Sequence, residues 1–164
     1  MRDFVGAELS RRLVLKGAAA LGFVTVGLNA ALTMAARAAD AAGWPADAFK
    51  QKSDADVFKL LYGGKTAQES DKVKLDAPEI AENGAVVPVS VTASVPGATS
   101  ISILVMENPY VLAASYKLTD GVSAAVSNRL KMAKTTTVMA VVEAGGKLYS
   151  AKKEVKVTVG GCGG

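Results

Sequence analysis

Between residues 87 and 95 the chain alternates with a period of two. Val87, Val89, Val91, Ala93 and Val95 interleave with Pro88, Ser90, Thr92 and Ser94. Successive side chains of a strand point to opposite faces, so this stretch buries one face and wets the other. The pattern recurs, broken each time by turn-forming residues. Asn83-Gly84 precedes this strand and Pro96-Gly97 closes it. Ser100 to Met106 follows, with Ile101, Ile103 and Val105 on one face. Leu104 and Met106 make its other face apolar too, which predicts a central strand. Asn108-Pro109 turns into Leu112 to Leu118, and Asp120-Gly121 divides that run from Val122 to Met132. Thr135 to Glu143 is apolar on both faces through Val138, Met139, Val141 and Val142. Gly145-Gly146 predicts a hairpin into Lys147 to Val159, and Asp71 to Leu75 adds a strand at the start. About seven short strands with turn signals every 8–12 residues or so predict a mainly β protein, an immunoglobulin-like antiparallel β-sandwich. Before them, Ser53 to Tyr62 predicts a short helix capped by Ser53 and stopped by Gly63-Gly64. Its apolar side is assigned to Val57, Phe58, Leu60 and Leu61, packed on the domain's edge.

The chain contains no histidine and a single cysteine, Cys162. That excludes a Ser-His-Asp or Cys-His nucleophile system, a Cys/His zinc site and an intramolecular disulfide. Any chemistry falls to carboxylates, lysines, a tyrosine or that one thiol.

The first forty residues predict an export signal. Ser10-Arg11-Arg12-Leu13-Val14-Leu15-Lys16 is followed by Gly17 to Ala36, a stretch without a charge, and then by Ala36-Arg37-Ala38-Ala39. A basic segment, an apolar segment and a small-x-small site make a secretory signal. The paired Arg11 and Arg12 resemble the twin-arginine (Tat) signal of bacteria, with Val14 in the usual aromatic position. Cleavage is expected after Ala38 or Ala39, leaving a periplasmic protein with no membrane anchor. Residues 1–39 hold five of the 19 Lys/Arg and two of the 15 Asp/Glu, so 14 and 13 remain, a net of +1. The overall +4 therefore belongs largely to the signal, and nothing points to nucleic acid as a partner. The expected organisation is a signal over 1–39, a sandwich over 40–159 and a mobile arm over 160–164.

That arm, Gly160-Gly161-Cys162-Gly163-Gly164, is the unusual site. Four of its five residues lack a Cβ, so it has little to pack and great backbone freedom. Fully extended, five residues reach roughly 16–18 Å. A lone cysteine in a small domain is more often buried and inert, but glycine-flanked beyond the last strand this one has nothing to be buried in. No neighbour in the arm is basic, so nothing local lowers the thiol below its usual pKa near ~8.5. Its activation falls to a partner's active site, which is the logic of a substrate carrier.

The signal, the β-rich domain, the tail Val155 to Gly164 and the segment Ala77 to Val89 together resemble the SoxY family. These are substrate-carrier subunits of the bacterial thiosulfate-oxidising (Sox) system. The resemblance implies a non-catalytic carrier without cofactors of its own. It implies a heterodimer with SoxZ, and an S-thiosulfonate formed on Cys162 with the haem protein SoxXA. The dimanganese hydrolase SoxB would then release sulfate. The sulfane dehydrogenase SoxCD, where present, would oxidise the sulfur left behind. Three rivals fit parts of the sequence. One is a sandwich module that uses Cys162 for an intermolecular disulfide. Another is a sulfur carrier of the ubiquitin-like type, loaded on the Gly164 carboxylate. The third, a general thiol redox protein, lacks a resolving cysteine.

Overall fold

The computed structural model describes residues 43–158. Arg11 and Arg12, and likewise Gly160, Gly161, Cys162, Gly163 and Gly164, lie outside the described residues. The unit that starts at Pro45 holds every element given below.

A 3-10 turn, Ala48–Lys50, leads to helix α1, Asp54–Tyr62. Ser53 caps it: its Oγ accepts the Asp56 N–H at 3.2 Å, and Asp54 and Asp56 face the positive end of the helix dipole. Gly63 stops it in the left-handed conformation. Nine strands follow: β1 Ala67–Glu69, β2 Val73–Asp76, β3 Ile80–Ala81, β4 Val87–Ala93, β5 Ala98–Val105, β6 Leu112–Lys117, β7 Ala125–Leu130, β8 Thr136–Ala144 and β9 Lys147–Val157. One sheet runs β1-β9-β8-β5-β6 and the other β2-β4-β7. All seven strands expected from the periodicity are present.

The additions are β1 and β3. Both pair with β9 in parallel, β1 at its start (Leu148–Ser150) and β3 at its end (Lys156 and Val157). At three and two residues they are too short to show a period, and they depart from a purely antiparallel sandwich. The β8–β9 hairpin closes through Gly145 and Gly146, whose φ values of 57° and 74° make the two-residue turn that matches strand twist.

Between the sheets lie Val87, Val89 and Val91 of β4, Ile101, Ile103 and Val105 of β5, Val138, Ala140 and Val142 of β8, and Val155 of β9. Fully burying each valine or isoleucine contributes about 1.5–3 kcal/mol. The second apolar face of β5 and β8 has a separate cause. Leu104, Leu112, Met139, Val141 and Leu148 point out of the sandwich and are covered by Val57 and Tyr62 of α1. The helix thus covers the large sheet's outer face, which corrects its expected place at the edge. The apolar stripe is also corrected. Val57 and Tyr62 are buried, Phe58 and Leu61 are half-buried, and Leu60 is 52% exposed. At 100° per residue Leu60 stands roughly 130° round the helix from the middle of that stripe.

Two polar links cross the packing. On the open side, Tyr116 of β6 donates to Asn128 Oδ1 of β7 at 2.7 Å, joining one sheet to the other. Under the helix, the Tyr62 hydroxyl donates to Ser102 Oγ at 2.7 Å, and Ser102 donates on to Ser115 at 3.1 Å. Burial pushes the Tyr62 phenol above its ordinary pKa of 10.0, so the fold holds the neutral form. The unfolded chain loses that proton first. The stability tied to it is therefore complete below pH 10 and lost as pH rises through the folded pKa. Tyr62→Phe is expected to lower stability by about 1 kcal/mol at neutral pH and to flatten the alkaline decline. Denaturant titrations at neutral pH and at about pH 11 check both. An equal alkaline loss in the two proteins would refute the assignment.

Candidate functional site at the end of strand β9

β9 leads the chain toward Cys162, and the way β9 ends is the described part of the site. Its pairing with β8 runs from Ala144↔Lys147 to Thr136↔Val155 and stops there. Four further contacts carry the strand on. The Val157 N–H donates to Thr135 Oγ1 at 3.1 Å, a side-chain acceptor where the backbone ladder has ended. On the opposite edge, Lys156 N–H donates to the Glu79 carbonyl at 2.9 Å and Thr158 N–H to the Ala81 carbonyl at 3.1 Å. The fourth contact is steric. Gly84 lies against Met132 and Val157, so closely that a Cβ there would stand 2.5 Å from the Met132 carbonyl oxygen and 2.7 Å from Val157 Cγ1. Gly84 also accepts the Met132 N–H at 2.7 Å.

The loop that presents Thr135 is itself held. Asn108 Nδ2 donates to the Lys131 carbonyl at 2.8 Å, and its Oδ1 accepts the Ala133 N–H at 3.2 Å. Lys134 pairs with Glu107 at 2.9 Å, and Glu107 N–H donates to Thr136 Oγ1 at 3.0 Å. The Lys134–Glu107 pair is exposed, so the neutral hydrogen bonds from Asn108 hold the loop more than the charges do. Asn83 and Asn108 do form the turns expected of them, Asn83 Oδ1 accepting Ala85 N–H at 2.9 Å. The contact of Gly84 with Val157 and the loop-to-loop role of Asn108 were not legible in the sequence. Both join residues far apart in the chain, and no local signal marks either.

Among the described residues, no three His, Cys, Asp or Glu side chains stand together as a metal site. No described helix is long and apolar enough to cross a membrane. Thr158 is anchored, and Cys162 lies four positions beyond it.

Fold and site define a small two-sheet β-sandwich whose single thiol follows its last strand. A solved structure of the sulfur carrier protein SoxY from Chlorobium limicola f thiosulfatophilum is similar at 48% identity, with a TM-score of 0.59. The match covers 63% of this chain and 94% of that one. The family profile of the sulfur oxidation protein SoxY matches residues 58–162, a span that includes Cys162. The chain belongs to the SoxY family. A superoxide reductase (neelaredoxin) from Ignicoccus hospitalis is also similar, at 20% identity and a TM-score of 0.47, over 53% of this chain and 80% of that one. Among curated proteins nothing matches.

Proposed function

We propose that this protein is the sulfur carrier of thiosulfate oxidation in the periplasm, with Cys162 as the covalent attachment point. The observation that carries this reading is the family match running through Cys162, on a chain with one cysteine and no histidine. In the proposed loading step the thiolate and the sulfane sulfur of thiosulfate form a disulfide-type bond. Two electrons leave to the haem protein SoxXA, and a cysteine S-thiosulfonate results. Water, activated on the dimanganese hydrolase SoxB, then releases sulfate and leaves a persulfide on Cys162. SoxCD, where present, oxidises the sulfur that remains. SoxZ is the proposed stable partner. The pair would cross the membrane folded, on the signal that contains Arg11 and Arg12.

The role of the glycines follows from dimensions. From Thr158 to Cys162 the chain reaches at most roughly 13–14 Å, enough to enter a channel only if the tether is thin. Incubation with thiosulfate and the partner oxidase, followed by peptide mass spectrometry, is expected to find an anionic sulfur adduct on Cys162. An adduct on the Gly164 carboxylate, or none, would refute the reading. Replacing Gly161 and Gly163 by valine is expected to slow processing about tenfold or more while leaving the melting temperature unchanged, because β-branched residues thicken and stiffen the tether. Steady-state rates with the hydrolase check this, and unchanged rates would show that slenderness is unimportant.

A further inference from the structure

We propose that Asn83 is a site of spontaneous deamidation and isoaspartate formation, reactive only while the β3–β4 loop is lifted away from Met132. Chemistry selects the residue first. The side-chain Cγ of an asparagine is open to attack by the backbone nitrogen of the next residue. Glycine in that next position hinders the attack least, because it has no Cβ. Three asparagines lie among the described residues. Asn108 precedes Pro109, whose nitrogen has no proton to lose. Asn128 precedes Arg129 within strand β7, where pairing with β4 fixes the backbone. Asn83 precedes Gly84, is exposed and lies in a loop. In the reaction the Gly84 nitrogen bonds to Asn83 Cγ and the Cγ–Nδ2 bond breaks. Ammonia leaves, carrying the proton that the Gly84 nitrogen gave up. The five-membered imide then takes up water at either carbonyl. One product is aspartate. The other, isoaspartate, runs the main chain through its Cβ.

The closed loop opposes this at each stage. Asn83 Oδ1 accepts the Ala85 N–H at 2.9 Å, and the Asn83 carbonyl accepts the Val86 N–H at 3.3 Å. Side chain and turn therefore hold each other in place. Ring closure has to draw Cγ onto the Gly84 nitrogen and turn the Gly84 peptide. That peptide is pinned, because its carbonyl accepts the Met132 N–H at 2.7 Å. There is no slack beside it either. One carbon added at Gly84 would stand 2.5 Å from the Met132 carbonyl oxygen and 2.7 Å from Val157 Cγ1. Isoaspartate lengthens the main chain by about 1.5 Å, more than this slot admits. Aspartate keeps both the chain length and the oxygen that Ala85 uses. The loop thus shields Asn83 while it is closed. Once it has opened and reacted, isoaspartate bars it from closing again.

The test uses the full chain at mildly alkaline pH, native and unfolded in guanidinium chloride. Products are read by peptide mass and by enzymatic methylation of isoaspartate. Asn83 is expected to react roughly tenfold or more faster in the unfolded chain than in the native one. Exchange of the Met132 amide reports its release from the Gly84 carbonyl. In low denaturant, that exchange and the Asn83 reaction are expected to rise in proportion. Val157→Ala removes one wall of the slot and leaves Asn83 and Gly84 untouched, and is expected to speed the native reaction roughly threefold or more. After refolding, the aspartate product should melt with the unmodified chain and the isoaspartate product roughly 5–10 °C lower. No reaction in the unfolded chain would overturn the site. Equal rates in native and unfolded chains, or an unchanged rate in Val157→Ala, would overturn the shielding. Equal melting of the two products would overturn the bar to closing. None of these readouts depends on sulfur loading, so they leave the carrier reading to its own test.

Discussion

Cys162→Ser is expected to abolish thiosulfate oxidation by the reconstituted system while leaving the sandwich intact. The expected loss is complete, because no other group can substitute. The chain has no second cysteine, and a serine hydroxyl cannot form the S–S bond that loading requires. Nor should folding suffer. The inter-sheet core and the helix-covered face are built from residues between Ala48 and Val157. The pair of measurements is oxygen uptake or electron-acceptor reduction with thiosulfate, and a thermal melt. Activity retained in Cys162→Ser would end the carrier reading. Activity lost together with a lowered melting temperature would point to a structural role for the thiol.

Gly84→Val is expected to be the most damaging single change in the described domain outside the core. Its Cβ would lie 2.5 Å from the Met132 carbonyl oxygen, a distance at which backbone has to move, and 2.7 Å from Val157 Cγ1. Overpacking of this kind costs about 1–3 kcal/mol, and a β-branched residue belongs at the upper end. For a domain of this size that is a fall of roughly 10 °C in melting temperature. Val157→Ala supplies the internal check, because it removes one of the two obstacles. Made in that background, Gly84→Val should cost less than it does alone, a coupling of at least about 0.5 kcal/mol. Strictly additive losses would mean that Gly84 and Val157 do not press on each other.

Much of the fold could be read from local pattern. Alternation in Val87 to Ala93 marked a strand with one buried face, and Val87, Val89 and Val91 are indeed among the most buried residues. The doubled apolar faces of Ser100–Met106 and Thr135–Glu143 marked central strands, and β5 and β8 lie side by side within the large sheet. Those same faces needed a cover on the outside, yet the sequence offered no way to tell that α1 was that cover. Leu60 shows the limit well. It is as apolar as Leu61, and only the sheet's location decides which of the two turns inward. The short strands β1 and β3 show another. Ala67–Glu69 and Ile80–Ala81 are strands because β9 offers them an edge, a property of a partner some eighty residues away.

The candidate site divides in the same way. Composition and chain order determined that the one thiol is Cys162, that glycines flank it, and that a strand precedes it. Those are statements about covalent neighbours, which a sequence contains in full. Where the strand ends and what holds its end were decided by tertiary structure alone. The grip joins Glu79, Ala81, Gly84, Thr135 and Val157, and such contacts exist only once loops distant in the chain have been brought to the same end of the sandwich.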